Sequence, residues 1–353
     1  MRRPKSPLKT IMMQRFYFLF EVLVIFLGIF IFSLIPSFLI LLSDGVNTVI
    51  FERFFYLLRA ALIVVAILLF LYLSNFLMEK QRKSIILEED ISPSKNFLSL
   101  FKITRKNFRF QLLYGILLLF LIFIPLDFFT YLLIPEMLSF QVESVVGGAY
   151  NSYFTENYSI FLLSVVLIPL CVAIYEESLT RGFLTNRGSD YFNKMSAVII
   201  TSFFFGLGHF AYIINPSSPG ISLIFPIIWF LQTFLVGIVL SMIVLRRHWI
   251  FPAIFAHTFN NIITSHSIWN EINGIDFSIM TLYVYIPLLI IGIVLFIWQF
   301  SRIKESLTIG WKEFKSYFVR DETIGENSLD TVVRIMIDFI FGLLIFIIGV
   351  ILL

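Results

Sequence analysis

The chain has 353 residues, of which 59% are hydrophobic and only 14% charged. Soluble domains carry about 25% charged residues, so a chain this apolar cannot cover its own surface, and water is excluded as its solvent. The net charge of +3 is too small to argue for a nucleic-acid partner, and the single cysteine, Cys171, excludes an intrachain disulfide.

A spanning helix needs about 20 apolar residues to cross a hydrocarbon core about 30 Å thick. Nine stretches qualify, at 16–42, 55–78, 111–134, 159–184, 195–214, 222–245, 249–269, 279–300 and 335–353. The first follows a segment, Met1–Arg15, with five Lys/Arg and no acid. It is longer than a signal-peptide core and has no small-residue cleavage site after it, so it reads as a retained span. The predicted fold is all-α: a polytopic transmembrane helix bundle of about nine spans.

The loops alternate in charge. Segment 79–110 holds eight Lys/Arg, whereas 135–158 holds none but carries Glu136, Glu143 and Glu156. Arg187 and Lys194 follow span four, Arg246 and Arg247 follow span six, and Arg302, Lys304, Lys312, Lys315, Arg320 and Arg334 fall in 301–334. Glu271 and Asp276 follow span seven, and the turn 215–221 is uncharged. Every second loop is basic, which under the positive-inside rule places the N-terminus in the cytoplasm. The chain is expected to be integral to a membrane, the cytoplasmic membrane being the natural one. Segment 79–110 reads as an interfacial helix and 301–334 as a cytoplasmic linker, which leaves span nine an appendage.

Ionisable groups inside a span are costly and mark function by default. Glu21 and Arg59 lie near span ends and can snorkel. Arg334 and Asp338 are four apart and can pair on one helix face. Asp127 sits near the middle of span three, with no role beyond a packing hydrogen bond. Spans four to seven are different. Span four reads Tyr175-Glu176-Glu177-Ser-Leu-Thr-Arg181, in which Glu177 and Arg181 stack four apart while Glu176 points about 100° away without a local partner. Pro169, seven residues earlier, should kink that helix. Span five contains Phe205-Gly-Leu-Gly-His209, whose two glycines permit close helix approach. Span seven carries His257 and Asn261 on one face.

Depth tests whether these groups can meet. At 1.5 Å rise per residue, Glu176 lies about 12 Å from the cytoplasmic end of span four, His257 about 12 Å into span seven, Asn261 about 18 Å and His209 about 21 Å into span five. All four fit a slab about 10 Å thick, so they can converge on one cavity. Taken one at a time, each has a bland reading: an acidic pair at a helix end, a packing histidine, interhelical hydrogen-bonding glue.

Glu-Glu-x-x-x-Arg at 176–181, Phe-x-x-x-His at 205–209 and His-x-x-x-Asn at 257–261 resemble the motifs of the CPBP family. These are the CAAX-processing and bacteriocin-processing membrane proteases, also called Abi proteins. Each motif is short and recurs by chance; the three in order, inside spans, are specific. The resemblance covers about 159–265. It implies a membrane-embedded endopeptidase with Glu176 as water-activating base, His209, His257 and Asn261 lining the same cavity, and Glu177 and Arg181 supporting it.

Peptide hydrolysis needs an activated water and a stabilised oxyanion. In that scheme Glu176 takes the proton, Asn261 and His257 stabilise the oxyanion, and His209 orients the water or bonds Glu176. Cys171 is on another face, which disfavours a cysteine nucleophile. Two histidines and a carboxylate, His209, His257 and Glu176, could instead hold a divalent metal such as zinc, though no His-Glu-x-x-His sequence occurs, so the cofactor stays open. The implied partners are a peptide or protein substrate, lipid-modified or not, and membrane lipid, with no nucleic acid. The expected division is 1–158 for N-terminal spans and loop, 159–269 for the catalytic core and 270–353 for C-terminal spans and basic linker. The alternatives are a transporter or proton relay, disfavoured because no inverted repeat is visible, and a non-catalytic scaffold or immunity protein.

Overall fold

A computed structural model describes residues 6–40, 48–78, 92–146, 150–210, 223–322 and 324–353. The basic stretch 79–91, the end of span five beyond 210 and the turn 215–221 lie outside the described residues. Among the described residues every regular element is helical. Seven helices are long and apolar enough to cross a membrane: Pro7–Leu39, Thr48–Leu77, Phe108–Leu133, Tyr158–Tyr191, Ile224–Arg247, Phe277–Trp298 and Ser328–Leu352. The other two expected spans are also helices. Lys194–Phe210 is described for only 17 residues, and Phe251–Ile272 is interrupted by the polar groups His257, Thr258, Asn260, Asn261, Thr264 and Ser265.

In chain order, α1 is Pro7–Ile40, α2 Thr48–Leu77, α3 Pro93–Ser99, α4 Phe108–Leu118, α5 Ile124–Leu133, α6 Glu136–Val146, α7 Tyr158–Glu177, α8 Asn186–Tyr191, α9 Lys194–Phe210, α10 Ile224–Arg247, α11 Phe251–Ile272, α12 Phe277–Met280, α13 Ile286–Trp298, α14 Phe300–Ser316 and α15 Ser328–Leu352. Wider π turns join α4 to α5 (Leu119–Phe123), α7 to α8 (Ser178–Thr185) and α12 to α13 (Thr281–Tyr285). Such insertions rotate the residues that follow and concentrate at functional sites. The long one begins immediately after Glu177.

Contacts between loops order the two ends of the bundle. Ile250 N–H donates to Leu100 O at 3.1 Å, and Ser99 Oγ lies 2.6 Å from His248 Nε2. The segment before span three and the turn after span six therefore share one end. At the other end Ser139 Oγ donates to Glu271 at 2.9 Å, joining the segment after span three to the end of span seven. This is the same grouping of loops that the charge alternation requires.

Lipid tails are as apolar as leucine, so apolar contact alone does not fix helix register in a bilayer; close packing and polar ties do. Here those ties reach between helices far apart in sequence. Glu21 does not snorkel: its buried carboxylate accepts from Arg187 at 3.1 Å, Tyr191 at 2.6 Å and Ser74 at 2.9 Å. Arg334 does not pair with Asp338 but with Glu326, at 2.9 Å. Asp338 is taken by Arg15, at 2.8 Å, 323 positions away. The sequence-based pairings failed because spacing along one helix says nothing of a neighbour's guanidinium. The Arg15–Asp338 pair clamps α15 to α1, and α15 also packs on α9, so the last span is built into the bundle rather than appended to it.

The expected linker 301–334 contains α14, a 17-residue helix with no buried residue. Phe300, Ile303, Leu307, Trp311, Phe314 and Phe318 recur every three or four positions, with Arg302, Glu305, Lys312 and Glu313 on the other face. That is the pattern of a helix lying in the membrane interface. Of the expected interfacial helix in 79–110, the described part forms only the seven-residue α3.

Candidate active site

Span four supplies the acids. The expected Glu177–Arg181 ion pair is present, with Arg181 donating to Glu177 Oε1 at 3.0 Å and both side chains fully buried. Arg181 also donates to Thr180 Oγ1 at 2.8 Å, and its guanidinium sits 4.2 Å over the Phe205 ring. That stacking gives the aromatic residue of the Phe-x-x-x-His motif a physical purpose: it covers a buried cation with a π face.

Glu177 Oε1 has a second partner, His257, whose Nδ1 lies 2.8 Å away. A nitrogen facing a carboxylate carries the proton, so His257 presents Nε2 outward. That Nε2 lies 3.8 Å from Glu176 Oε2. Glu176 is the less enclosed of the two acids, 28% exposed against 0% for Glu177. The adjacent glutamates therefore do different work, as their 100° rotation requires. Glu177 is sealed between Arg181 and His257, while Glu176 faces open space beside an imidazole. Arg59 lies within electrostatic range of Glu176, with its guanidinium 5.2 Å over Tyr175. It too is drawn into the protein rather than toward a span end.

His209 is oriented by its own helix. Its Nδ1 donates to Phe205 O, one turn back, at 3.1 Å, which again leaves Nε2 as the outward atom. Its ring rests 5.3 Å from Trp229 and 5.0 Å from Phe205. Of the two glycines in this motif only Gly206 serves close approach: a Cβ there would meet the Phe230 ring at 2.9 Å and the Phe230 carbonyl at 3.1 Å. Gly208 faces open space.

A cavity of about 110 Å³ is bounded by His209, His257 and Asn261, so three of the four expected catalytic residues share one space. Glu176 is not among the residues around that cavity; it meets the group through His257. Cys171 is buried and not part of the wall either. The volume holds a few waters, and its lining mixes polar side chains with aromatic and aliphatic ones.

The cavity also holds residues that sequence reasoning did not place at the site, including Asp127, for which only a packing hydrogen bond is expected. Asp127 forms part of the wall. Its carboxylate accepts from Thr264 Oγ1 at 2.8 Å, and Asn260 stands in the same wall. Together with His257 and Asn261, these residues form a polar stripe on α11 at positions i, i+3, i+4 and i+7, all facing the cavity. The stripe is visible in the sequence as one polar face on an otherwise apolar helix. Asp127 carries no such signal, because its partner Thr264 lies 137 positions away.

Among the described residues, no group of three His, Cys, Asp or Glu side chains is placed to hold a metal ion. The reason is the placement of the acid: Glu176 stands apart from the cavity that holds His209, although both imidazoles have Nδ1 backed by an acceptor, the arrangement that leaves Nε2 free to ligate. The donor set His209, His257 and Glu176 does not fit an ion in this arrangement.

Fold and site define a polytopic helical membrane protein with a carboxylate–imidazole centre buried among its spans. Residues 158–263 match the Rce1-like family, described as type II CAAX prenyl endopeptidase Rce1-like, a match consistent with a CPBP family intramembrane protease. At family level this supports an intramembrane protease of the CAAX type. Comparisons with curated proteins and with solved structures gave no match.

Proposed function

We propose that the chain is an intramembrane endopeptidase in which Glu176 activates a water for attack on a peptide bond. The observation that carries this reading is the relay Arg181–Glu177–His257–Glu176, with contacts of 3.0, 2.8 and 3.8 Å, beside a small polar cavity. A carboxylate held next to an oriented imidazole is the arrangement from which water is deprotonated.

In the reaction, water bound at Glu176 gives its proton to the carboxylate as its oxygen bonds to the scissile carbonyl carbon. The carbonyl electrons move onto oxygen, and the oxyanion is met by the N–H of the Asn261 carboxamide, while His257, whose Nε2 is an acceptor in this tautomer, takes a hydrogen bond from the attacking water. Collapse re-forms the carbonyl, breaks the C–N bond, and returns the proton from Glu176 to the departing amine. Glu177 and Arg181 act through His257, holding its ring and tautomer. His209, whose ring lines the cavity with Nδ1 taken by Phe205 O, accepts from the substrate amide through Nε2. The substrate is a peptide or protein segment entering from the membrane, and the family description favours one carrying a C-terminal prenyl group.

The test uses the full chain in lipid vesicles with two peptides of one sequence, farnesylated and unmodified, and mass spectrometry of the products. Cleavage of the farnesylated peptide by the parent chain and none by Glu176→Ala is expected. A folded parent chain that cuts neither peptide, nor any membrane protein offered to it, would end the protease reading.

A further inference from the structure

A second space, larger than the active-site cavity and sharing no lining residue with it, lies between α4, α10 and α14. It is a groove of about 720 Å³, within the ~300–1,000 Å³ typical of small-molecule sites. Its inner wall is aliphatic, with Leu117 of α4 and Leu121 of the π turn after it on one side and Val239 and Met242 of α10 on the other. The amphipathic α14 roofs it and contributes Trp311 at the rim.

One end of this groove is cationic. Arg246 and Arg247, at the last turn of α10, and Arg302, in the first turn of α14, all line it. Arg302 is exposed and has no ion pair among the described residues. Arg247 spends one nitrogen on the Tyr114 hydroxyl, while its Nε–H is buried with no acceptor among the described residues. Two carboxylates stand nearby. Glu305 lies 3.7 Å from Arg246 but is 68% exposed, and Glu313 is on the rim. Three guanidinium groups against two acids leave an excess of positive charge, with one buried donor unspent.

A purely apolar occupant would have no use for the three arginines. A free anion would have no use for the aliphatic wall. We infer that this groove binds a bilayer phospholipid with an anionic headgroup, its phosphate at Arg246, Arg247 and Arg302 and its acyl chain along Leu117, Leu121, Val239 and Met242. Basic pockets between spans at the membrane surface hold anionic lipids for this reason: the guanidinium fork matches phosphate oxygens, and the chain stays in an apolar medium. The charge alternation of the loops puts this end on the cytoplasmic face, where anionic lipid concentrates. A bound lipid would tie α14 to α4 and α10 without touching the catalytic cavity. The inference stands whether or not the chain is a protease.

The experiment is native mass spectrometry of the full chain in mild detergent, titrated with phosphatidylglycerol or with phosphatidylcholine of the same acyl chains. One phosphatidylglycerol per chain is expected, held at least tenfold more tightly than phosphatidylcholine. Two variants separate the parts of the site. Arg246→Gln, Arg247→Gln and Arg302→Gln combined remove the charge, and Val239→Trp fills the groove while leaving the arginines. Each is expected to abolish the preference. Equal retention of the two lipids by the parent chain overturns the inference without recourse to any variant. So does a phosphatidylglycerol preference that survives Val239→Trp, since the charge would then act from the surface. Displacement by inorganic phosphate or by a farnesylated peptide would assign the groove to those ligands instead.

Discussion

Replacing Glu177 by glutamine keeps the shape of the side chain and removes its charge, which makes it the sharpest probe of the relay. Glu177 Oε1 accepts from Arg181 at 3.0 Å and from His257 at 2.8 Å, in a fully buried position. Removing one partner of a buried pair costs about 3–5 kcal/mol because the other charge is left uncompensated. The glutamine oxygen can still accept one of the two bonds, so the lower end, about 3 kcal/mol, applies here. The effect on chemistry is separate. With the carboxylate gone, nothing forces the proton onto His257 Nδ1, and the ring loses the tautomer that presents Nε2 to Glu176. The corresponding change in a serine protease triad lowers kcat by about 10⁴. Because the imidazole here assists a carboxylate instead of deprotonating a nucleophile itself, a loss of roughly 10²–10⁴ is expected. The assay is single-turnover cleavage at saturating substrate in vesicles, with thermal unfolding of the same sample. Glu177→Asp, which restores charge at a shorter reach, should recover part of the rate. A folded Glu177→Gln chain with kcat within about threefold of the parent, less than 1 kcal/mol of barrier, would refute the relay.

Four further outcomes follow from the same geometry. Asp338→Ala strands the buried Arg15 and should lower unfolding stability by about 3–5 kcal/mol, read by chemical denaturation in detergent. Gly206→Val places new atoms against the Phe230 ring and carbonyl and should cost about 1–3 kcal/mol, measured as a lower melting temperature. Activity should persist in strong chelator, since the site side chains do not gather as an ion-binding set; loss on chelation with recovery on zinc would contradict this. His248, in the turn after span six, is held below its ordinary value by burial, so its folded form resists protonation more than its unfolded form does. Its contribution is therefore complete above the ordinary histidine range and lost as pH falls through it. A His248→Gln chain should show a flatter stability profile on that acidic side.

Much of the site was readable because its geometry is local. Helical spacing predicts the Glu177–Arg181 pair, the divergence of Glu176 from Glu177, and the shared face of His257 and Asn261. The depth calculation explains why helices from three parts of the chain can reach one cavity. What spacing cannot supply is the choice of partner across helices. It assigns Arg334 to Asp338, whereas Glu326 and Arg15 take them instead, and it leaves Glu21 to snorkel where Arg187, Tyr191 and Ser74 enclose it. For Asp127 a packing hydrogen bond is expected and found, but its partner stays unread for the same reason, because Thr264 reaches it from α11. The linker 301–334 conceals α14 because its charges mask the apolar stripe from Phe300 to Phe318. Periodicity at 3.6 residues would have exposed that stripe.

The central claim is that the carboxylate of Glu176 takes the proton from the attacking water. The direct measurement is pre-steady-state cleavage by Glu176→Gln beside the parent chain, with substrate affinity measured on the same preparations. A fall in the chemical rate of at least about 10³-fold with affinity unchanged is predicted, the signature of an interaction made only in the transition state. A Glu176→Gln chain that binds and cuts at the parent rate would contradict it.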